Sequence, residues 1–115
     1  MKTAEEASTL TAAGRTLLSE VKQQILRYVP KANVLLYGSA ARGQREPESD
    51  YDVLVLVDAP LSSQDERAMQ DAVYDVELAH EAVVSVVIYS QEQWNSPLAR
   101  VSPYHQRVER EAIVL

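Results

Sequence analysis

Two short runs in the chain carry residues whose types and spacing suit chemistry on phosphates. The first is Gly38-Ser39, with Gly43 four residues after the serine. Gly38 can take the positive φ that turns backbone N–H groups toward an incoming anion, and Ser39 adds a hydroxyl donor. If Ala40, Ala41 and Arg42 open a helical turn, its N-terminus faces the same anion. The run is a candidate phosphate cradle. The second run is Asp50-Tyr51-Asp52, at the start of an apolar stretch. On a strand, Asp50 and Asp52 project from one face while Tyr51 points to the other. Mg²⁺ takes oxygen ligands, usually one or two carboxylates completed by substrate phosphates and water. Together the two runs can hold a metal–triphosphate. Separately, Gly-Ser is a common turn and Asp-x-Asp a common solvated strand end or cap, so the conjunction is what informs.

The elements that must position these runs are legible around them. Residues 33–37 are a short β-prone run stopped by Gly38, and residues 51–57 are a longer one stopped by Asp58-Ala59-Pro60. The unbroken apolar series Val53, Leu54, Val55, Leu56, Val57 predicts a central strand covered on both faces. Upstream, Leu10, Leu17, Leu18, Val21, Ile25 and Tyr28 recur at helical spacing and predict one amphipathic helix over residues 3–28, ended before Pro30. Gly14 inside it costs roughly 1 kcal/mol and marks either a break or a close packing contact.

Downstream, residues 62–82 predict a second helix, with Ser63 as cap, Glu66 three residues later, and Ala68, Ala72, Val76 and Ala79 as a packed face. Residues 83–89 predict a third strand and residues 104–111 a short helix, before the apolar tail Ile113-Val114-Leu115. That tail and the Trp94 segment could dock on a partner; alternatively the tail adds a strand to the sheet. The order α, β, turn, β, α, β, α, without repeat or linker, predicts an α/β (α+β) fold: a small mixed β-sheet flanked by helices, forming one domain over residues 1–115.

Composition narrows the chemistry. The chain has 115 residues and a net charge of −6, an acidic balance that repels phosphate backbones and argues against nucleic acid as a direct substrate. It has no cysteine, which excludes disulfides, thiolate metal ligands and a cysteine nucleophile. Residues 2–8 are polar and acidic, and no apolar run approaches the ~20 residues of a spanning helix. A cytoplasmic protein without a membrane segment is expected.

Gly38-Ser39, ten intervening residues, then Asp50-Tyr51-Asp52 resembles the signature of the DNA polymerase β-like nucleotidyltransferase superfamily. The flanks agree: Gly38-Ser39-Ala40-Ala41-Arg42-Gly43 and Ser49-Asp50-Tyr51-Asp52 follow the family's G-S-x-A-R-G and S-D-x-D elements. Length and element order resemble the minimal nucleotidyltransferases that act as antitoxins in HEPN/MNT toxin–antitoxin pairs. The resemblance implies transfer of a nucleoside monophosphate from a triphosphate to an acceptor hydroxyl, with release of pyrophosphate. In the HEPN-associated branch it implies AMP moved from ATP to a tyrosine of a HEPN ribonuclease toxin, which is thereby silenced within a hetero-oligomer. It further implies Mg²⁺ held by Asp50 and Asp52 as catalytic ligands, with Gly38, Ser39, Arg42 and Gly43 on the nucleotide phosphates.

One departure stands out. Members of the superfamily usually carry a third carboxylate on a neighbouring strand, yet residues 83–89 contain no acid, and Ser85 stands where it would be expected. Losing a general base typically costs about 10²–10⁴ in rate. The chain is then either a slow or partner-completed transferase, or a catalytically silent module that neutralises its partner by contact alone. Arg42 either neutralises the triphosphate or is a solvated turn arginine. Asp75, Glu77 and Glu81 lie near a helix end, as surface charges commonly do, and are weak candidates to replace the missing acid. His80 and His105 lack a second ligand at zinc spacing, and Trp94 suits a core anchor better than an adenine platform.

Overall fold

The computed structural model describes residues 2–8, 10–44 and 50–115. The Ser49 of the S-D-x-D element therefore lies outside the described residues. Two strands form where the sequence places them, β2 over Asn33–Tyr37 and β3 over Tyr51–Val57, after a two-residue β1 at Lys2–Thr3. They pair antiparallel, with Tyr37 opposite Asp52. A fourth strand, β4 at Val84–Ser90, runs parallel to β3, and a short β5 at Ile113–Val114 closes the other side of β2. The sheet order is β1-β5-β2-β3-β4, mixed in direction.

Side-chain alternation divides the core into two layers. Val53, Val55 and Val57 pack with helix α1 (Ala12–Tyr28) and helix α3 (Ser63–His80) on one face. Leu35, Leu54 and Leu56 pack on the other, beneath Trp94 and Val108. These last belong to α4 (Gln91–Trp94) and α6 (Pro103–Glu111), which flank a single turn, α5, at Pro97–Arg100. Burial of β3 on both faces is what its unalternated apolar run requires.

The structure corrects several expectations. The first helix begins at Ala12, since the Thr11 hydroxyl accepts from the Gly14 amide at 3.0 Å and caps it. Lys2 and Thr3 instead pair with β5, so the expected helix over residues 3–28 loses its first two turns. Gly14 is a packing contact: a Cβ there would lie 3.2 Å from the Tyr51 hydroxyl oxygen. The second helix is capped by Ser62, whose hydroxyl accepts from the Asp65 amide at 3.1 Å, and Ser63 is already helical. The tail is a strand, and its Leu115 amide donates to the Val34 carbonyl at 2.9 Å, so it cannot serve as a free docking segment. Trp94 is 3% exposed, stacked on His105 with ring centroids 4.1 Å apart. It is a core anchor and not a docking surface.

Candidate active site

The site is assembled where β2 ends and β3 begins. Because β2 and β3 are antiparallel, the end of one lies beside the start of the other, and the Gly-Ser turn meets the Asp pair. Gly38 opens α2, a single helical turn over Gly38–Ala41, with φ +79. The expected turn thus starts two residues earlier than Ala40. A Cβ at Gly38 would lie 2.4 Å from Asp52 Oδ2. No side chain could be accommodated there, so the backbone of the Gly-Ser turn packs directly against the Asp52 carboxylate. Among the described residues no side chain caps the N-terminus of α2, where an anion could be received by the amides of the turn. Gly43, just after the turn, also takes a positive φ, +73.

Asp52 and Ser85 are register partners across β3 and β4, so they share a face. Ser85 Oγ donates to Asp50 Oδ2 at 3.1 Å. Asp50, Asp52 and Ser85 therefore converge, and Tyr51 is buried against α1 on the opposite face. Burial first, and the Asp50 charge second, raise the pKa of Asp52, while Arg42 pulls it partly back. Two carboxylates forced together in this way are a natural cation site. Two carboxylate donors and a hydroxyl fit Mg²⁺, which keeps waters and takes phosphate oxygens for the rest. Among the described residues no three His, Asp or Glu converge, so at the Asp pair too a cation's shell would depend on phosphate oxygens and water.

Arg42 is placed differently from the rest of the cradle. Its Nη1 pairs with Glu111 Oε2 of α6 at 2.9 Å, and its Nε donates to Gln44. Asp75, Glu77 and Glu81 belong to the helical layer behind the sheet. Glu77 accepts from the Val84 amide at 3.3 Å, which ties it to the start of β4. His80 pairs with Glu20.

Sequence reasoning missed an aromatic wall beside the carboxylates. Tyr37 and Tyr104 meet edge to face with centroids 5.7 Å apart, and Trp94 abuts Tyr104 at 6.0 Å. The buried Tyr104 hydroxyl is near enough to Tyr37 to feel it without completing a hydrogen bond of good geometry. Burial, then Tyr37, Tyr89 and Asp52, push its pKa up, so it stays protonated. Tyr37 was findable as the strand residue adjoining Gly38. Tyr104 had no local signal.

The fold is that of a mixed α/β domain with a Gly-Ser turn packed against an Asp-x-Asp pair at one end of its sheet. The model of the nucleotidyltransferase domain family matches residues 18–113, and the chain belongs to that family. In fold it is similar to a crystal structure of a toxin–antitoxin with AMP-PNP, at 20% identity and a TM-score of 0.58, over 84% of this chain and 69% of that one. Among curated proteins no sequence matches.

Proposed function

We propose that this chain is a Mg²⁺-dependent nucleotidyltransferase that moves AMP from ATP to a protein hydroxyl, a tyrosine of a HEPN toxin partner, and so acts as an antitoxin. The observation that carries the reading is the convergence of Gly38, Asp52 and the Ser85–Asp50 hydrogen bond at one sheet end. Family membership supports the reaction class. The toxin–antitoxin with AMP-PNP supports the nucleotide and the partner class.

Asp50 and Asp52 would hold Mg²⁺, which supplies charge neutralisation at the phosphates when bound. The remaining roles fall to the chain itself. Ser39 and the amides of the α2 turn donate to phosphate oxygens, and Ser85 orients Asp50 through its hydroxyl proton. Catalysis of this kind leans on positioning and electrostatics, so turnover without a third carboxylate is slow but sufficient to modify a stoichiometric partner. Ser85 also motivates the second reading, a silent module that neutralises by contact.

Mass spectrometry of a co-encoded HEPN partner incubated with ATP and Mg²⁺ separates the two. The transferase reading expects a nucleotide adduct on tyrosine, abolished in Asp50→Asn and accelerated by about 10-fold or more in Ser85→Asp. No adduct, together with full neutralisation by Asp50→Asn, would establish the silent module.

A further inference from the structure

In a chain carrying 17 acidic and 11 basic residues, three cations converge on one cavity. It has a volume of about 350 Å³ and is lined by Lys2, Arg42 and Arg110, with Ala41 and Ile113 among its apolar neighbours and Glu111 its one carboxylate among the described residues. The convergence is a product of topology. Lys2 is the register partner of Ile113 across β1 and β5, and α6 delivers Arg110 and Glu111 immediately before β5. The turn α2 brings Arg42 from the other side. Glu111 is committed to Arg42, and among the described residues neither Lys2 nor Arg110 has an ion-pair partner. Two cations of the cavity, Lys2 and Arg110, are thus without a carboxylate partner among the described residues, on a molecule whose overall charge is −6.

We propose that this cavity is an anion site for a multiply charged phosphate group, distinct from the Asp50/Asp52 end of the sheet. Its lining includes neither Gly38, Ser39 nor either aspartate, and cations alone suffice for binding, with no divalent metal. The volume falls within the range of small-ligand pockets, about 300–1,000 Å³. An arginine fork binds phosphate oxygens in the same bidentate manner as a carboxylate. Glu111 therefore occupies Arg42 as the protein's own anion, and an incoming phosphate exchanges with it. Inorganic phosphate, pyrophosphate and a nucleoside monophosphate all present the required chemistry.

The test is calorimetry and amide and guanidinium NMR on the whole chain at low ionic strength in EDTA, titrating phosphate, pyrophosphate and AMP in separate arms. Saturable binding of at least one of them is expected, with shifts at Arg42 and Arg110, and the arm that binds tightest identifies the source. The variant Lys2→Gln/Arg110→Gln should weaken that binding by about tenfold or more, since each charge-assisted contact is among the stronger hydrogen bonds. Glu111→Gln should strengthen it. Binding of Mg²⁺–AMP-PNP by Lys2→Gln/Arg110→Gln should stay within about twofold of wild type, because the two sites differ in metal requirement. Circular dichroism confirms that the variants fold. Absence of saturation in every arm, undiminished affinity in the folded double variant, or binding that appears only with Mg²⁺ would overturn the proposal. None of these outcomes bears on whether Asp50 and Asp52 hold a metal.

Discussion

Burial and the adjacent Asp50 both disfavour the charged form of Asp52, so its carboxyl titrates above the ordinary 3.8. In the interval between 3.8 and the raised value, the folded protein holds a proton that the unfolded chain releases. Stability therefore falls as pH rises through that interval, and the penalty persists at neutral pH. Asp52→Asn removes it. The variant should melt above wild type in EDTA at pH 7, with the difference shrinking as pH falls toward 3.8, as read by thermal denaturation. Mg²⁺ with AMP-PNP should raise the melting temperature of wild type but not of the variant. An Asp52→Asn protein less stable than wild type at pH 7 would mean that the carboxylate is satisfied without a cation. Gly38 sharpens the same point, since a Cβ there would strike the Asp52 carboxylate.

At the scale of elements, every helix but α2 is placed by a side-chain cap as much as by its apolar face. Ser62 and Thr11 accept from the amides three residues on, and Ser90, Ser96 and Ser102 repeat the device before α4, α5 and α6. The periodic pattern overran both long helices because apolar residues such as Leu10 pack on the core without being helical. Ser62→Ala should cost about 1 kcal/mol of stability, within the usual ~0.5–2 kcal/mol for a lost N-cap, while Ser63→Ala should be nearly neutral. Urea denaturation of the two variants distinguishes the cap assigned by structure from the one suggested by sequence.

For the molecule as a whole, the final strand ties both termini into the sheet. Ile113 is 2% exposed and bridges β1 and β2. Ile113→Ala should destabilise by about 2–5 kcal/mol, the range for a large-to-small change in a packed core. Loss of partner binding in such a variant would accompany unfolding, visible by circular dichroism before any complex is tested. A folded Ile113→Ala protein that merely failed to bind a partner would return the tail to the role of a docking segment. Among the described residues no helix is long and apolar enough to cross a membrane.

Short-range chemistry was legible in the residues themselves. The bounds of β2 and β3, the two-sided burial of β3, the opposed directions of Asp52 and Tyr51, and the pairing of a glycine cradle with two carboxylates all follow from spacing within a few residues. Even Ser85 could be aligned with the aspartates, because parallel strands of matched alternation put like positions on one face. Tertiary structure decided the rest. Arg42 meets Glu111 across a separation of 69 residues, and Tyr104 reaches Tyr37 across the sheet face. Propensity and periodicity report only which way a side chain points from its own element. Which distant side chain it then meets depends on how the layers pack, and an ion pair or a cationic cavity formed that way leaves no local pattern to read.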